Sequence, residues 1–298
     1  MQKGDEMGKT SKYIFRQHEI KTFLVCRKKF QLQVLEGWRP RITKDYFNLG
    51  AVFDKAAAEY HCGTSVGEVM AGINAELKLR ILKASDQEEI DSLEKMEPTI
   101  QGMLYGYVNN FKQINFEPHY RVIVPVIQNF KLSCELDGRW TDKKQQWIIE
   151  RKAVQNVDAD YVKRLDIDFQ MNCYFYALRK WTYREVTGVL YRITKKPSIR
   201  QKQNESKLQF TKRLMLEYEE FPEKYFFEEK IFKDQSTNKI FEQEIQWIFE
   251  DLKECLKNKR FYRSDHSCSP IGAGKCPYLE YCKKPERDTL ETFYKKEK

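Results

Sequence analysis

KLSCELDGRWTDKKQQWIIERKAV, residues 131–154, decides the fold of this chain. Two runs rich in β-formers, KLSCELDGRW and QQWIIERKAV, flank a polar stretch that suits a hairpin. Side chains alternate across a strand, so Glu150 and Lys152 share one face of the second run and Arg151 takes the other. The hairpin carries Asp137 in beside them. Two carboxylates next to a lysine are what magnesium-dependent phosphodiester hydrolysis requires: hard oxygens to hold the cation, and an ammonium to orient or help deprotonate the water. On an open strand, Glu-x-Lys is an ordinary solvated ion pair. Here it follows Trp147, Ile148 and Ile149, an apolar run that marks a buried strand, where charge needs a purpose.

Outward from the hairpin, YRVIVPVIQ (120–128) adds a strand that completes an antiparallel meander. DIDFQMNCYFYALRKW (166–181) then reads as a helix, and VTGVLYRITKK (186–196) as a further strand. The order β-β-β-α-β is that of an α/β core. On the helix, Gln170 and Tyr174 lie four residues apart and project from one face. Tyr174, Ala177 and Trp181 equally fit an inward apolar stripe.

Helical patterning fills the front of the chain, over 17–36, 48–62, 65–82 and 86–113. Past Pro197, SIRQKQNESKLQFTKR (198–213) is expected to be polar and exposed, leading through a strand, YFFEEKIFK (225–233), to a helix over about 237–258. Internal repeats, low-complexity tracts and Pro/Gly/Ser linkers are absent. One body, 1–298, is therefore expected, with a helical portion at 17–115, a core at 116–196 and a C-terminal extension at 197–298.

Of the 298 residues, 41% are hydrophobic and 14% aromatic, which excludes wholesale disorder. Lys and Arg number 53 against 44 Asp and Glu, a formal charge of +9 that favours polyanionic partners. Without a secretory or membrane-spanning apolar run, the expected location is the cytoplasm. In that reducing compartment, clustered cysteines point to metal or cluster ligation rather than disulfides. Cys268, Cys276 and Cys282 are separated by seven and five residues, and Cys26 stands far upstream. A zinc ribbon favours two close pairs, whereas an iron-sulfur cluster accepts one remote thiolate with three local ones. Cys62, Cys134, Cys173 and Cys255 read as small buried hydrophobes.

The ordered set Asp137, Glu150-x-Lys152 and Gln170-x3-Tyr174 resembles the RecB-type branch of the PD-(D/E)XK nucleases. That resemblance implies a restriction-endonuclease-like α/β core, a central mixed sheet flanked by helices, and DNA as the substrate. It implies Mg²⁺ or Mn²⁺ bound by Asp137 and Glu150, a water positioned by Lys152, and Gln170 and Tyr174 touching DNA or supporting the site. Glu135 shares a strand face with Asp137, but Asp137 stands ahead of Gly138-Arg139-Trp140, which resembles the family's strand end. The branch's Gly-x3-His becomes Gly50-x3-Asp54 here. Asp54 can still ligate a hard cation, and the same departure fits a catalytically weakened DNA-binding or scaffold protein. His61, further along the same helical face, is a substitute ligand or a plain helix-end histidine.

One cysteine before the nuclease motifs and three after them is also the order in the iron-sulfur nucleases of CRISPR adaptation and of the AddB helicase-nuclease subunit. By that resemblance Cys26, Cys268, Cys276 and Cys282 hold a 4Fe-4S cluster that clasps the chain's ends, with His266 in reserve. CPYLEYC keeps the family's five-residue spacing, while Cys268 is displaced. YRITKKPSIRQK and GKCPYLEYC are similar to RecB-like exonucleases of phages, which implies exonucleolytic work in recombination, replication or host-DNA degradation. Arg192, Lys195, Lys196 and Arg200 are candidate phosphate contacts, or simply a solvated basic stretch. A zinc-stabilised nucleic-acid binder is a third reading.

Overall fold

A computed structural model describes residues 13–41, 49–84, 86–111, 113–142, 145–268 and 275–297. The chain opens on β1 (Tyr13–Arg16), α1 (Gln17–Val25), one turn of helix α2 (Arg27–Phe30), a π-helical turn (Gln31–Leu35) and β2 (Trp38–Pro40). Helices α3 (Leu49–His61), α4 (Val66–Ile81) and α5 (Gln87–Asn110) precede the meander of β3 (Glu117–Ile127), β4 (Phe130–Asp142) and β5 (Gln145–Val154). Next come α6 (Ala159–Arg164), α7 (Phe169–Thr182), β6 (Gly188–Lys195), α8 (Lys207–Glu220), α9 (Pro222–Tyr225) and β7 (Phe226–Ile231). The chain closes with α10 (Gln235–Asn258), α11 (Leu279–Lys283), α12 (Arg287–Phe293) and β8 (Tyr294–Lys296). No helix among the described residues is long and apolar enough to cross a membrane.

Among the described residues, six strands form one mixed sheet, with β1, β4, β5, β6 and β7 in sequence across it and β3 also paired to β4. β5 and β6 run parallel and are the most buried strands, as their continuous apolar runs demand. Alternation then sorts the faces. Ile148 joins the main core, which also takes Tyr174 and Ala177 of α7 with Phe241 and Ile245 of α10. The opposite face carries Ala153 against Phe53 of α3, Met103 and Tyr107 of α5, and Tyr218 of α8. The expected mixed sheet flanked by helices is what the chain forms.

The helix expected over 17–36 breaks at Cys26, whose backbone is extended (φ −162°, ψ 115°) and whose Sγ accepts the Lys29 N–H to start α2. The stretch 198–213 is not uniformly exposed. Ser206 caps α8 through a reciprocal capping box with Gln209, and Phe210, Leu214 and Tyr218 are buried at four-residue spacing. Trp181 leaves the inward stripe of α7, with half its surface exposed. Cys134, Cys173 and Cys255 are buried as expected, but Cys62 lies exposed just past the end of α3.

Candidate active site

The sheet divides at β4. β3 lines one edge of that strand, so β1 and β5 share the other: β1 pairs in parallel with Phe130–Ser133 and β5 in antiparallel with Gly138–Asp142. Between those ladders, no strand among the described residues pairs with positions 134–137 on that edge. β5 leaves β4 at this fork and continues against β6 alone. Asp137 sits in the crotch, and its Oδ2 accepts the backbone N–H of Arg151 at 2.8 Å. The side chain thus replaces a lost ladder acceptor, which fixes the carboxylate by backbone geometry.

Glu150 and Lys152 follow on one face of β5 as an ion pair, with Glu150 fully buried. From α7, Gln170 Nε2 donates to Glu150 Oε1 at 3.0 Å and to the Tyr174 hydroxyl at 2.7 Å. Tyr174 donates in turn to the Glu135 carbonyl at 2.7 Å. A hydrogen-bonded chain therefore ties α7 to both arms of the fork. Arg151 points the other way and is 97% covered, its Nε donating to Asp54 Oδ1 of α3 at 2.9 Å. Its guanidinium stacks 5.7 Å from the Phe116 ring, while Nη1 and Nη2 find no hydrogen-bond partner among the described residues.

Burial raises the pKa of Glu150, and the adjacent Asp137 charge adds to the rise. Burial also raises Asp137, with Asp54 next in effect. Burial on its own would lower Lys152, but Glu150 and Asp137 outweigh it and hold the ammonium protonated. Three carboxylates thus face two basic groups. The second oxygen of Glu150 has no hydrogen-bond partner among the described residues, a costly state for a buried carboxylate. Hard oxygens in negative excess, one of them orphaned, fit a divalent cation. As the side chains stand, protein donors occupy Asp54 Oδ1, Asp137 Oδ2 and Glu150 Oε1, and among the described residues no group of three or more His, Cys, Asp or Glu is arranged to hold a metal ion.

A cleft of about 350 Å³ opens on the fork, with Asp54, Asp137, Gln170 and Tyr174 in its wall. A second space of about 240 Å³, lined by Gly50, Asp54, Asp137, Arg151 and Lys152, adjoins it. Asp54 and Asp137 belong to both, so the fork is where the two faces of the sheet communicate. Glu135 also lines the cleft but is exposed.

Several expectations are corrected. His61 is not beside Asp54 as a substitute ligand; it is buried against Phe116, with Nε2 at 2.9 Å from the Tyr107 hydroxyl. Arg192 is not a surface phosphate contact, being 99% covered and paired with Glu228 at 2.9 Å. Register explains it, because Arg192 stands opposite Arg151 on the buried face of parallel strands. Lys195 and Lys196 are half-buried and Arg200 exposed, and none of the three lines the cleft. The cleft's basic side chains are instead Arg16, His18, His119 and Arg121. Sequence reasoning missed Arg16 because β1 is four residues long and meets β4 from far away in the chain.

The tail cysteines lie around the break between α1 and α2, but among the described residues no group of three or more cysteines is arranged to hold a metal ion. Cys26 is buried there, Ser267 Oγ donates to the Val25 carbonyl at 2.9 Å, and the Cys276 N–H to the Cys268 carbonyl at 2.9 Å. The Cys282 thiol is raised by burial and then by its neighbours Cys276, Cys268 and Cys26. No disulfide joins them. His266 is nearly fully exposed. Residues 269–274 of the tail lie outside the described residues. Protein contacts bind the tail too: β8 pairs with β2, and the Tyr278 hydroxyl donates to the Trp38 carbonyl at 2.6 Å.

No curated protein matches the chain. Among solved structures, that of a "Putative exonuclease" from Eubacterium rectale aligns over 90% of this chain and 92% of its own, at 10% identity and a TM-score of 0.46. A family model of the PD-(D/E)XK nuclease superfamily matches residues 17–283. That span takes in strands β3 to β7, helices α3 and α7 and every carboxylate at the fork, and the chain belongs to the PD-(D/E)XK nuclease superfamily.

Proposed function

We propose that the chain is a Mg²⁺- or Mn²⁺-dependent exonuclease that hydrolyses DNA. The observation that carries this reading is the fork, where Asp137 and Glu150 are fixed by backbone and buried hydrogen bonds beside Lys152. Asp137 and Glu150 would hold the cation, with Asp54 as a further oxygen donor on release from Arg151. When bound, the cation supplies Lewis-acid activation of water and neutralises charge at the scissile phosphate. Lys152 orients the attacking water and stabilises the negative charge that grows on the phosphoryl oxygens. The water oxygen bonds to phosphorus, the bond to the bridging ester oxygen breaks, and that oxygen leaves with a proton. Gln170 holds the Glu150 carboxylate in position, and Tyr174 holds Gln170.

A 4Fe-4S cluster on Cys26, Cys268, Cys276 and Cys282 belongs to the same proposal. Its support is the placement of the cysteine-bearing tail against the break at Cys26, where burial first and then the nearby thiols raise Cys282. The alternative, a DNA binder without catalysis, draws on the ion pair that occupies Asp54.

End-labelled single- and double-stranded DNA, incubated with Mg²⁺, Mn²⁺ or chelator, tests the reading. Metal-dependent shortening from an end is expected. Opening of covalently closed circular DNA at a comparable rate would replace exonuclease by endonuclease. Undiminished digestion by both Asp137→Ala and Lys152→Ala proteins would remove the site itself.

A further inference from the structure

Nothing in the catalytic fork accounts for the basic wall across the same cleft. Arg16 ends β1 opposite Ser133, and Arg121 lies on β3 opposite Glu135, two residues before Asp137 on β4. Two residues of strand rise about 6.8 Å, roughly two stacked nucleotides at about 3.4 Å each. Arg121 is steadied by donating from Nε to Ser133 Oγ at 3.4 Å. His18 and His119 stand in the same wall, and α1 begins there, adding the positive end of its dipole. Two carboxylates intrude, that of Glu135, with His119 Nδ1 at 4.0 Å, and that of Glu19, which accepts the Arg16 backbone N–H at 2.7 Å. Two guanidinium groups against two carboxylates leave the wall less negative than the fork beside it, where three carboxylates face two basic groups.

We propose that Arg16 and Arg121 form a phosphate-binding subsite, seating the backbone of a polynucleotide strand about two nucleotides from the scissile bond. The planar guanidinium suits phosphate oxygens in pairs. The subsite rests on the nuclease reading of the fork. It gives the strand a side of entry, along β1 and β3, and makes the two arginines determinants of binding rather than of bond breaking.

The test is the anisotropy of a fluorescent single-stranded DNA oligonucleotide in chelator, where no cleavage occurs, across a salt series. Arg16→Ala and Arg121→Ala are each expected to weaken binding several-fold and to flatten the plot of log affinity against log salt by about 0.7–1. The double variant should lose roughly twice that slope, whereas Lys83→Ala, in the turn after α4 and outside the cleft, should match the wild type. Arg→Lys versions, which keep the charge, should restore the slope and so separate phosphate binding from a folding defect. In turnover, KM should rise in the alanine variants and kcat should stay within about threefold. An unchanged slope and affinity in the folded double variant would overturn the subsite, even if DNA is digested. If the binding pattern appears but wild-type protein digests nothing, the subsite stands and the catalytic reading of the fork falls.

Discussion

Asp137 Oδ2 takes the Arg151 N–H at 2.8 Å, in the place a neighbouring strand would fill had β4 and β5 stayed paired. Asp137→Asn keeps a hydrogen-bond acceptor and removes the charge. Digestion should fall on the order of 10³-fold, with the melting temperature unchanged or raised, since a buried carboxylate crowded by Asp54 is removed. Loss of both activity and cooperative melting would show that the carboxylate is structural.

Gln170 donates to Glu150 from the wall of the cleft. Its removal should act through that carboxylate. Gln170→Ala is expected to lower activity roughly 10–100-fold, as for outer partners of metal ligands, and to raise the Mn²⁺ concentration needed for half-maximal rate. A fall in rate at saturating metal, without a change in metal requirement, would assign Gln170 to DNA contact.

His61 is buried with Nδ1 unpartnered among the described residues, and burial first, then Arg151, lowers its pKa to about 3. The unfolded chain binds a proton below about 6.5, which the folded protein refuses. The stability linked to neutral His61 is therefore present above pH 6.5 and is lost as pH falls from there toward 3, on the order of 1 kcal/mol per pH unit. Urea unfolding of wild type and His61→Gln at pH 7.5 and 5 should show a smaller acid loss in the variant. Equal losses would mean that His61 is protonated in the fold.

Gly106 of α5 faces Phe226 and Tyr218. A Cβ there would stand 2.3 Å from Phe226 Cζ and 3.0 Å from Tyr218 Cβ. Alanine gains up to about 1 kcal/mol of helix propensity over glycine, but overpacking costs about 1–3 kcal/mol. Gly106→Ala is expected to lower the melting temperature by several degrees, and a raised value would show that the core yields at β7.

For the proposed cluster, anaerobically purified protein should be coloured and carry about four iron atoms per chain, and Cys282→Ser should lose them. Chelation should then expose the tail to protease before the sheet. Stoichiometric zinc in colourless protein would replace the cluster.

Asp137, Glu150 and Lys152 were legible because strand alternation is strict and the apolar run before Glu150 marked burial. Gln170 and Tyr174 were legible as a pair, but not their link to Glu135, which depends on how α7 lies on the sheet. The pairing of Asp54 with Arg151 joins positions 97 residues apart, and no local pattern announces it. Arg192 misled for the opposite reason: its basic surroundings, Lys195 and Lys196, lie past the point where β6 emerges from the core. Strand β1 escaped because four residues carry too little periodicity, and the polar composition of 198–206 hid the stripe that starts at Phe210.

The small ladder of β2 with β8 places Arg39 opposite Lys295. During synthesis, Trp38–Pro40 must therefore wait for more than 250 further residues before finding its partner. The fork, whose strands β3 to β6 lie between residues 117 and 195, is able to pair well before then. The ribosome thus delivers a protein whose large sheet can precede its closure, and chaperone capture or premature release would leave the sheet assembled and the β2–β8 ladder open.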